Sequence, residues 1–572
     1  MNRQLRGNLP PNEKANGKNR FLSLLLLFMA FISVQVYAQD VKVSGTVIAE
    51  ADKFPIIGAN IVVKGTTIGT VTDIDGNFSI EADPNSVLNI SYIGYLSKEI
   101  VVGNQKTINV VLLEDTKTLD EVVVIGYGTQ KKADLTGSVA NVSTDDLNTQ
   151  SNTTIGQALQ GKIAGVDIVS QGGAPGGSTR VMVRGIGTLN NSSPLYIVDG
   201  MYMSGIDHIN PNDIASIDVL KDASSAAIYG SRAANGVVIV TTKEGSNTEG
   251  KPIIDLSANV GVSSPSKYLD LLDAAGWTEV TTVSRRAAGL SPLEMAQDLA
   301  SKPDNDWQDL MFGPALMQNY ALSVKGGGKY STYYNSVGYT NQDGVMKGTN
   351  YQRYTLQSKQ DFKKGIFQAG TNVVLTYDQS NPLYSVIRGG MVGHTLQAIP
   401  TWEQYDENRT GGYGGLYGDV VNLTHPLGMV DDNLMKRYSD NVKIFANAYV
   451  SVELMKGLKY KLNLTPDFQF YRYNSYEGLF DFGLAKHDIT AVTEQQTRTR
   501  NILVENLLTF DRTFGDHKVS ALVGYTYQDS RYRYMQGSGQ GMPTGITEID
   551  AASQGLAVSG NSSRSVLTSI LG

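Results

Sequence analysis

After residue 250 the chain contains a series of long segments in which apolar and polar residues alternate. In Leu458–Phe470, leucine, tyrosine and phenylalanine occupy one set of alternate positions, and mostly charged or amide residues occupy the other. Phe367–Tyr377, Val442–Leu454 and Lys518–Gln528 follow the same pattern. Because successive side chains of a strand point to opposite faces, each segment predicts a strand with one apolar and one polar face.

The length and spacing of these segments favour a membrane barrel over a soluble β-sandwich. Each has roughly ten to thirteen residues, which a tilted strand needs to cross a bilayer, whereas soluble strands average about five or six. Several carry tyrosine or phenylalanine near one end, as interfacial girdles do. Short turns at Lys456-Gly457 and Gly515-Asp516 alternate with long loops such as Asn381–Asp440. We therefore predict an antiparallel transmembrane β-barrel over residues 247–572.

The first 38 residues have the parts of a secretory signal peptide. A basic region precedes Phe21–Val34, an apolar stretch shorter than the roughly 18 residues that a membrane anchor needs. Small residues lead up to Ala38, so residues 1–38 predict a signal peptide that is cleaved after Ala38.

Composition excludes several classes of partner and site. The chain has a net charge of −7, and removal of the basic signal segment leaves the remainder more acidic. This argues against nucleic acid as a partner, because neutralising phosphates requires basic patches. There is no cysteine, which excludes disulfides, thiolate metal sites and a lipid-bearing cysteine after the signal. We predict neither a cofactor nor a metal ion.

Residues 39–115 predict a small Ig-like β-sandwich, because strand-like runs recur about every ten residues with turn signals between them. The predicted strands are Val41–Ile48, Ala59–Lys64, Thr70–Asp73, Asn77–Ile80, Val87–Tyr92 and Ile108–Leu113. Thr72–Phe78 is similar to a calcium loop. However, an EF-hand has its glycine at loop position 6, whereas Gly76 follows Asp73 too closely. We predict a hairpin turn there instead.

Residues 116–130 form a linker with a short β-forming run at its centre. The run and its flanks are Asp120, Glu121, Val122, Val123, Val124, Ile125, Gly126 and Tyr127. Val122–Ile125 is too short to bury itself, no local strand partner is evident, and an unpaired extended segment is a template for another chain. The run therefore predicts a binding segment to which a second protein attaches by β-strand addition. The alternative is that it is the last strand of the preceding sandwich.

Residues 131–246, here called the plug region, predict a compact mixed α/β domain. Its glycine-dense stretch Gln171–Gly177 predicts a loop. The other predicted elements are a helix at Ile155–Gly161, strands at Val166–Ser170, Arg180–Arg184 and Leu195–Asp199, a helix beginning near Asp222, and a strand at Val237–Thr242.

Several motifs together resemble one family, the SusC/RagA-type TonB-linked outer membrane proteins, which are TonB-dependent nutrient importers. Residues 41–113 are similar to the family's carboxypeptidase-regulatory-like Ig-fold extension, and Leu119–Gly128 resembles its TonB box. Five runs resemble the family's plug signatures: Val183–Gly185, Tyr196–Gly200, Ile217–Ala223, Ile228–Gly230 and Arg232–Lys243. Within them the resemblance singles out Arg184, Gly185, Asp199, Gly200, Tyr229, Gly230, Arg232 and Gly236.

For the plug residues we predict structural roles. Arg184 and Asp199 are expected to form an ion pair within the plug region rather than to contact a ligand. The four glycines of the signatures are expected at tight turns, where a Cβ atom would clash. The tyrosine-rich loops could bind sugar rings, but girdle and packing roles account for most tyrosines, and the sequence identifies no substrate-binding residue.

The resemblance implies a mechanism and a set of partners. A glycan or peptide binds at the extracellular mouth of a barrel in the outer membrane of a Gram-negative cell. TonB, energised by ExbB and ExbD, pairs with the box on the periplasmic side and pulls, which displaces part of the plug region. A SusD-like surface lipoprotein is the expected lid, and membrane lipid surrounds the barrel. No covalent chemistry is required, so we predict that the protein is not an enzyme.

The sequence departs from the family in two ways. No secretin-like signalling domain is expected between the signal peptide and residue 41. About 325 residues follow Gly245, enough for roughly ten strands, whereas the complete family barrel is expected to have 22. We therefore predict a truncated chain whose barrel is partial.

Two other functions are open to the sequence. A secreted β-rich adhesin or glycan-binding protein would also alternate along its strands, but it would dissolve without detergent. An enzyme is suggested by the carboxypeptidase-like extension. However, none of the five histidines has the HExxH spacing of a zinc site, and neither a G-x-S-x-G elbow nor a P-loop occurs.

Overall fold

The computed structural model describes most of the chain after residue 40 as two compact units, Met1–Glu121 and Val122–Gly572. The predicted signal peptide (1–38) and the box residues Asp120, Glu121, Gly126 and Tyr127 lie outside the described residues. Described are residues 41–571 without 51–52, 65, 67, 93–94, 104, 114–121, 126–127, 132–138, 144–153, 171–172, 189–190, 204, 383–389, 419, 421–422 and 516.

The first unit is the predicted β-sandwich. Its strands are β1 (Val41–Ala49), β2 (Asn60–Val63), β3 (Gly69–Val71), β4 (Asn77–Ala82), β5 (Val87–Ser91), β6 (Lys98–Val101) and β7 (Val110–Leu112). They form a sheet of order β4-β1-β7 and a second of order β3-β2-β5-β6. Alternate residues such as Val47, Ile61 and Leu88 are fully buried between the sheets. The edge strand β6 escaped prediction because its four residues are all at least partly exposed and do not alternate.

The loop that resembles a calcium site is a turn held by Asp73. The Asp73 carboxylate accepts the backbone N–H groups of Asp75 and Asn77 at 2.9 and 2.8 Å, which lowers its pKa. Gly76 has φ +74°, a conformation that favours glycine. The predicted turn is therefore present. The prediction of a hairpin was wrong, because β3 and β4 belong to different sheets.

The second unit begins with β8 (Val122–Ile125) and β9 (Gly128–Lys131), followed by the plug region. Its strands are β10 (Val139–Ser143), β11 (Val166–Ser170), β12 (Thr179–Val183), β13 (Leu195–Val198), β14 (Met201–Met203), β15 (Ile214–Leu220) and β16 (Val237–Thr242). Its helices are α1 (Ile155–Leu159) and α2 (Ala223–Ala226), with 3-10 turns at Pro211–Asp213 and Ala227–Ala233. Strands β11 and β16 match the predicted bounds residue for residue.

The plug region is built on a mixed sheet of order β10-β15-β16-β13-β14, beside the hairpin β11-β12. Strand β16 lies between β15 and β13 and is buried at five of its six residues, as its unbroken run of β-branched residues predicts. Its core includes Ile155, Val181, Ile217 and Val240. The core also contains Phe445 from a later strand, so the plug region packs against the rest of its unit.

The remainder is dominated by one antiparallel sheet, here called the large sheet. Its ten strands, among the described residues, are β17 (Ile253–Ser263), β18 (Ala315–Gly327), β19 (Ser331–Asp343), β20 (Asn350–Lys364), β21 (Phe367–Asn381), β22 (Met435–Met455), β23 (Leu458–Glu477), β26 (Ala491–Phe514), β27 (His517–Gln540) and β28 (Gln554–Leu571). Each pairs with its neighbours along the chain, and Phe480–Asp481 (β24) pairs separately with Lys486–His487 (β25). The strands run to 24 residues, longer than predicted.

The two ends of the large sheet differ as predicted. At one end, connections such as 365–366 and 456–457 have only two residues. At the other end, long loops contain α3 (Ala274–Ala287), α4 (Trp307–Met311) and α5 (Gly390–Gln397) and the 3-10 turns Glu294–Ala296, Leu299–Ser301, Gly428–Val430 and Ile549–Ala551. The loop predicted as Asn381–Asp440 ends earlier, because β22 already begins at Met435. Within the described part of the chain, no helix combines the length and apolar character that a bilayer crossing needs.

The large sheet has two different faces. The inner face contacts the plug region through side chains such as Tyr334 and Lys443. The outer face carries partly exposed apolar residues, including Leu356, Val450 and Leu462. On this face four tyrosines in successive strands are register partners, and their rings lie 5.0 to 6.4 Å apart: Tyr320, Tyr339, Tyr354 and Tyr377. The mainly β fold class is confirmed.

Candidate functional site

The predicted box contains a strand that has a local partner. Val122–Ile125 pairs antiparallel with Gly128–Lys131, from Val122 opposite Lys131 to Ile125 opposite Gly128. The prediction that nothing local pairs with this run was wrong, because Gly128–Lys131 lies antiparallel beside it. The two strands form a separate sheet in the described structure, so the run is not the last strand of the sandwich. One edge of Val122–Ile125 is left outside this pairing.

The predicted ion pair between Arg184 and Asp199 is not formed. Arg184 is exposed, with φ +58°, at the end of β12. The Asp199 carboxylate accepts both the backbone N–H and the hydroxyl of Thr242, at 2.9 and 2.6 Å. Its cationic partner is Lys359 of the large sheet, whose Nζ lies 3.6 Å away. Asp199 thus links the plug region to the sheet rather than stabilising the plug region alone.

The predicted turn glycines have the expected backbone. Gly185, Gly200, Gly230 and Gly236 all have positive φ, between +61° and +85°. Of the four, Gly236 alone is tightly enclosed, since a Cβ atom there would lie 2.9 Å from the Val183 side chain. A side chain at this position would therefore disturb both the turn and the packing of β16 against β12. The prediction of a clash was wrong for the other three glycines, where a Cβ atom would meet nothing within 4 Å, so only their backbone conformation favours glycine.

The other two signature residues, Tyr229 and Arg232, both contact the ring of Tyr202. Tyr229 is buried and meets Tyr202 edge-on, with ring centroids 6.4 Å apart. The Arg232 guanidinium lies 5.1 Å from the centroid of the same Tyr202 ring. These contacts stabilise the plug region locally.

A first group of buried polar contacts joins the end of β16 to the large sheet. The Asn372 amide donates to Asp199 at 2.6 Å. The Gln357 amide donates to the Thr242 hydroxyl at 3.0 Å. Gln357, Asn372 and Thr242 are at least 96% buried, so water cannot replace these bonds while the plug region stays in place.

A second group lies around the loop 205–213. The Tyr334 phenol donates to the Asp213 carboxylate at 2.8 Å. The Arg353 guanidinium donates to the backbone carbonyl of Asp207, and Arg353 is almost fully buried. The Thr179 hydroxyl donates to the Asp207 carboxylate at 3.4 Å. Burial raises the pKa of both carboxyls, Asp207 and Asp213.

His208 completes this group. Its Nδ1 atom lies 3.4 Å from Nζ of Lys443, and its carbonyl accepts a bond from Thr376. The Nε2 atom is buried without a hydrogen-bond partner in the described structure. Burial, together with the positive charges of Lys443 and Arg353, holds the pKa of His208 well below its ordinary value. His208 is therefore neutral at physiological pH.

In the described ranges no group of three or more His, Asp or Glu residues could hold a metal ion. The arrangement joins the plug region to the large sheet through ion pairs and hydrogen bonds.

Sequence reasoning missed most of these interface residues. Asp207, His208, Asp213, Tyr334 and Arg353 belong to no recognised motif. A signal was present in the large sheet, because Lys443 was assigned to the polar face of its strand. Charged residues on the polar face of a predicted barrel strand require partners, which the plug region or neighbouring strands can supply.

The long-loop end of the large sheet contains a packed aromatic cluster. His425 is fully buried among Trp307, Trp402, Tyr413 and Phe482, with ring centroids 4.7 to 5.6 Å away. Its Nδ1 accepts the backbone N–H of Gly428, and Nε2 faces the carbonyl of Glu403 at 3.2 Å. The loops thus have a core of their own.

Comparisons with known proteins place these features in a family context. The family model of the TonB-dependent Receptor Plug Domain matches residues 131–237, and the CarboxypepD_reg-like domain matches residues 43–124. TonB-dependent receptor P3 of Formosa agariphila is 37% identical over 523 residues, which cover 88% of this chain and 50% of that receptor. TonB-dependent receptor SusC of Bacteroides thetaiotaomicron is 35% identical over 450 residues, 76% of this chain and 43% of SusC.

The fold is also similar to that of a solved structure. The RagAB peptide importer in its open-open state aligns with a TM-score of 0.68 at 24% identity, over 79% of this chain and 54% of that chain. The chain spans about half the length of the curated relatives it matches. These relatives are receptors, and they give no support to a secreted adhesin.

Proposed function

We infer that this chain, a homologue of SusC and other TonB-dependent receptors over most of its own length, acts in TonB-dependent import of a nutrient across the outer membrane. The outer membrane is the location of such receptors, with the first unit and the box on the periplasmic side. The observation that carries the inference is the buried polar interface between the plug region and the large sheet.

A polar interface suits a plug that must leave and return. Each hydrogen bond contributes only about 0.5–1.5 kcal/mol net, because water replaces it once the surfaces separate. The bonds of Asp199, Asp213 and Asp207 to the large sheet are therefore strong enough together to close a path. A pulling force can also break these bonds one after another. A close-packed apolar core of the same size would not separate under such a force without unfolding.

Val122–Ile125 supplies the point of attachment for that force. A TonB strand that adds to its free edge would form a few hydrogen bonds worth a few kcal/mol, which corresponds to weak and reversible binding. Weak pairing fits a cycle that resets after each substrate. ExbB and ExbD would energise TonB, as the family resemblance implies.

The substrate enters at the long-loop end, which lies opposite the short turns. A glycan or a peptide is the substrate class we propose, since the matched structure is a peptide importer and SusC is a homologue. A SusD-like surface lipoprotein is the proposed partner on this side.

Deletion of Val122–Ile125 tests the proposal. In cells that depend on this protein for uptake, the deletion should stop import while substrate binding at the cell surface persists, because only the coupling to TonB is removed. Deletion of residues 115–118, which removes the same number of residues ahead of the box, is the matched control and should leave import largely intact. Equal import by both deletion variants and the unaltered protein would refute TonB coupling through this run.

A further inference from the structure

Five arginines gather on three adjacent strands at the outer face of the large sheet. They form what we call the arginine patch: Arg498, Arg500, Arg531, Arg533 and Arg564. Arg500 is opposite Arg531, which is opposite Arg564, and Arg498 is opposite Arg533. Like charges directly opposite one another destabilise a sheet unless something offsets them.

The register assigns the patch to the outer face. Lys443 faces the plug region, where it contacts His208. Its partners in successive strands are Gln469, Thr499 and Tyr532, which therefore share the inner face. Because side chains alternate along a strand, the residues on either side of Thr499 and Tyr532 point outward. These residues are Arg498, Arg500, Arg531 and Arg533.

The patch follows directly after an apolar stretch on the same face. From the short turn, the outward residues of β26 include Phe510, Leu508, Val504 and Ile502 before Arg500 is reached. The nine residues from Phe510 to Ile502 rise about 20 Å at a tilt of about 40°, comparable to the height of about 25 Å of a barrel's apolar band. The patch therefore lies at the level where hydrocarbon gives way to head groups, on the long-loop side.

Acidic residues do not neutralise the patch. Asp529 is shared by three of its members, with Arg500, Arg531 and Arg564 nitrogens at 3.0, 3.3 and 2.9 Å. Among the described residues, Arg498 and Arg533 have no ion-pair partner. The Nε atom of Arg500 is buried and lacks an acceptor in the described structure. The guanidinium groups of Arg498 and Arg533 are thus left for an external anion, and the single carboxylate of Asp529 is shared by the other three arginines.

We propose that the arginine patch binds the phosphate groups of a phosphorylated lipid in the outer leaflet of the membrane. Guanidinium groups pair with phosphate oxygens through two parallel hydrogen bonds, which makes arginine the preferred residue for such recognition. Clusters of basic residues at a membrane boundary recognise anionic head groups. The apolar residues below, such as Ile502 and Val504, lie where the acyl chains of the same lipid would run. The inference rests on the membrane placement proposed above.

Binding of lipid A, which carries two phosphates, tests the proposal against phosphatidylcholine, which has no net charge. The chain in detergent micelles should retain lipid A several-fold more tightly, as counted from bound lipids in native mass spectra. Arg498→Gln together with Arg533→Gln should remove most of this preference, because glutamine keeps the polar stem without the charge. Arg512→Gln, on the same strand and face but near the short turn, is the matched control and should keep the preference.

The outcomes distinguish failure of the lipid proposal from failure of the membrane placement. Equal retention of the two lipids by the unaltered chain, or equal loss in the Arg512→Gln control, would overturn the proposal. Displacement of lipid A by millimolar inorganic phosphate would show a site for free anions and would also overturn it. Mobility of unheated protein on a gel shows whether each variant is folded. A chain that stays in solution without detergent would instead refute the membrane placement on which the proposed function depends.

Discussion

The Tyr334 phenol donates a 2.8 Å hydrogen bond to the Asp213 carboxylate, and this bond joins the large sheet to the plug region at full burial. Burial alone raises the pKa of Asp213, whereas the bond from Tyr334 favours the charged carboxylate and lowers it. Loss of the phenol would leave a buried carboxylate with fewer donors, which is more costly than loss of an exposed bond.

We expect Tyr334→Phe to weaken the attachment of the plug region by about 1–3 kcal/mol, the cost of leaving a buried polar group underpaired. Hydrogen exchange should become faster in the neighbouring strand Ile214–Leu220, because brief separations of the two surfaces become more frequent. Tyr320→Phe, which removes a phenol from the outer face, is the control and should not change this exchange. Unaltered exchange in Tyr334→Phe would show that this bond does not hold the plug region.

Gly338 on the inner face permits close approach of the plug region. A Cβ atom there would lie 2.4 Å from Nδ2 of Asn210 and 2.5 Å from Oγ1 of Thr355. We expect Gly338→Ala to push the loop containing Asn210 away and to lower the melting temperature by several degrees, as overpacking typically costs about 1–3 kcal/mol. Gly261→Ala is the matched control, because its nearest neighbour would be Met317 Cε at 3.5 Å, an ordinary contact. Equal melting temperatures for the two variants would contradict the crowding.

Four of the ten described strands of the large sheet were predicted from the sequence, because alternation is a local signal there. The sequence missed the plug strands Val139–Ser143, Met201–Met203 and Ile214–Leu220. Strand β23 could be recognised from residues 458–470 alone, and its continuation to Glu477 was missed where polar residues enter both faces. The plug strand Val237–Thr242 was recognised because a run of β-branched residues with no polar face indicates burial on both sides.

The interface could not be predicted in the same way, because it depends on which distant residues meet. Asp199 and Lys359 are 160 positions apart, whereas the predicted partner Arg184 lies within the same plug region. Alternation reveals that Lys359 faces inward but does not reveal what it faces. The partner of Val122–Ile125 was missed for the opposite reason, since Gly128–Lys131 is polar and has little β propensity of its own.

The stability of the long-loop cluster should depend on pH through His425. Burial lowers the pKa of His425 to about 4 from its ordinary 6.5. The folded cluster requires the neutral ring, so its stability is complete above pH 6.5 and decreases as the pH falls from 6.5 toward 4. The full effect corresponds to about 3 kcal/mol, by linkage between protonation and folding. The rate of limited proteolysis of the loops should therefore increase as the pH is lowered from about 7 to about 5.

Substitution of the histidine tests this assignment. His425→Phe should remove most of the pH dependence, while the loops become somewhat less stable at neutral pH, because the bond to the Gly428 N–H is lost. His517→Phe, at an exposed position beside a short turn, should keep the original pH dependence. An unchanged slope in His425→Phe would assign the pH dependence to another group, such as His394, whose pKa burial also lowers.

Two proline substitutions distinguish how a partner strand would join Val122–Ile125. In a hairpin closed by two residues the closing pair, Ile125 and Gly128, is hydrogen-bonded, and bonded and unbonded pairs alternate from there. Val123 therefore directs its backbone groups toward Gln130, whereas Val124 directs its N–H to the free edge. Proline lacks this N–H. We expect Val124→Pro to abolish binding of a TonB C-terminal domain in a pull-down, and Val123→Pro to weaken the hairpin while binding continues. The reverse result would mean that TonB displaces Gly128–Lys131 rather than adding beside it, and binding unaffected by either proline would refute strand addition at this run.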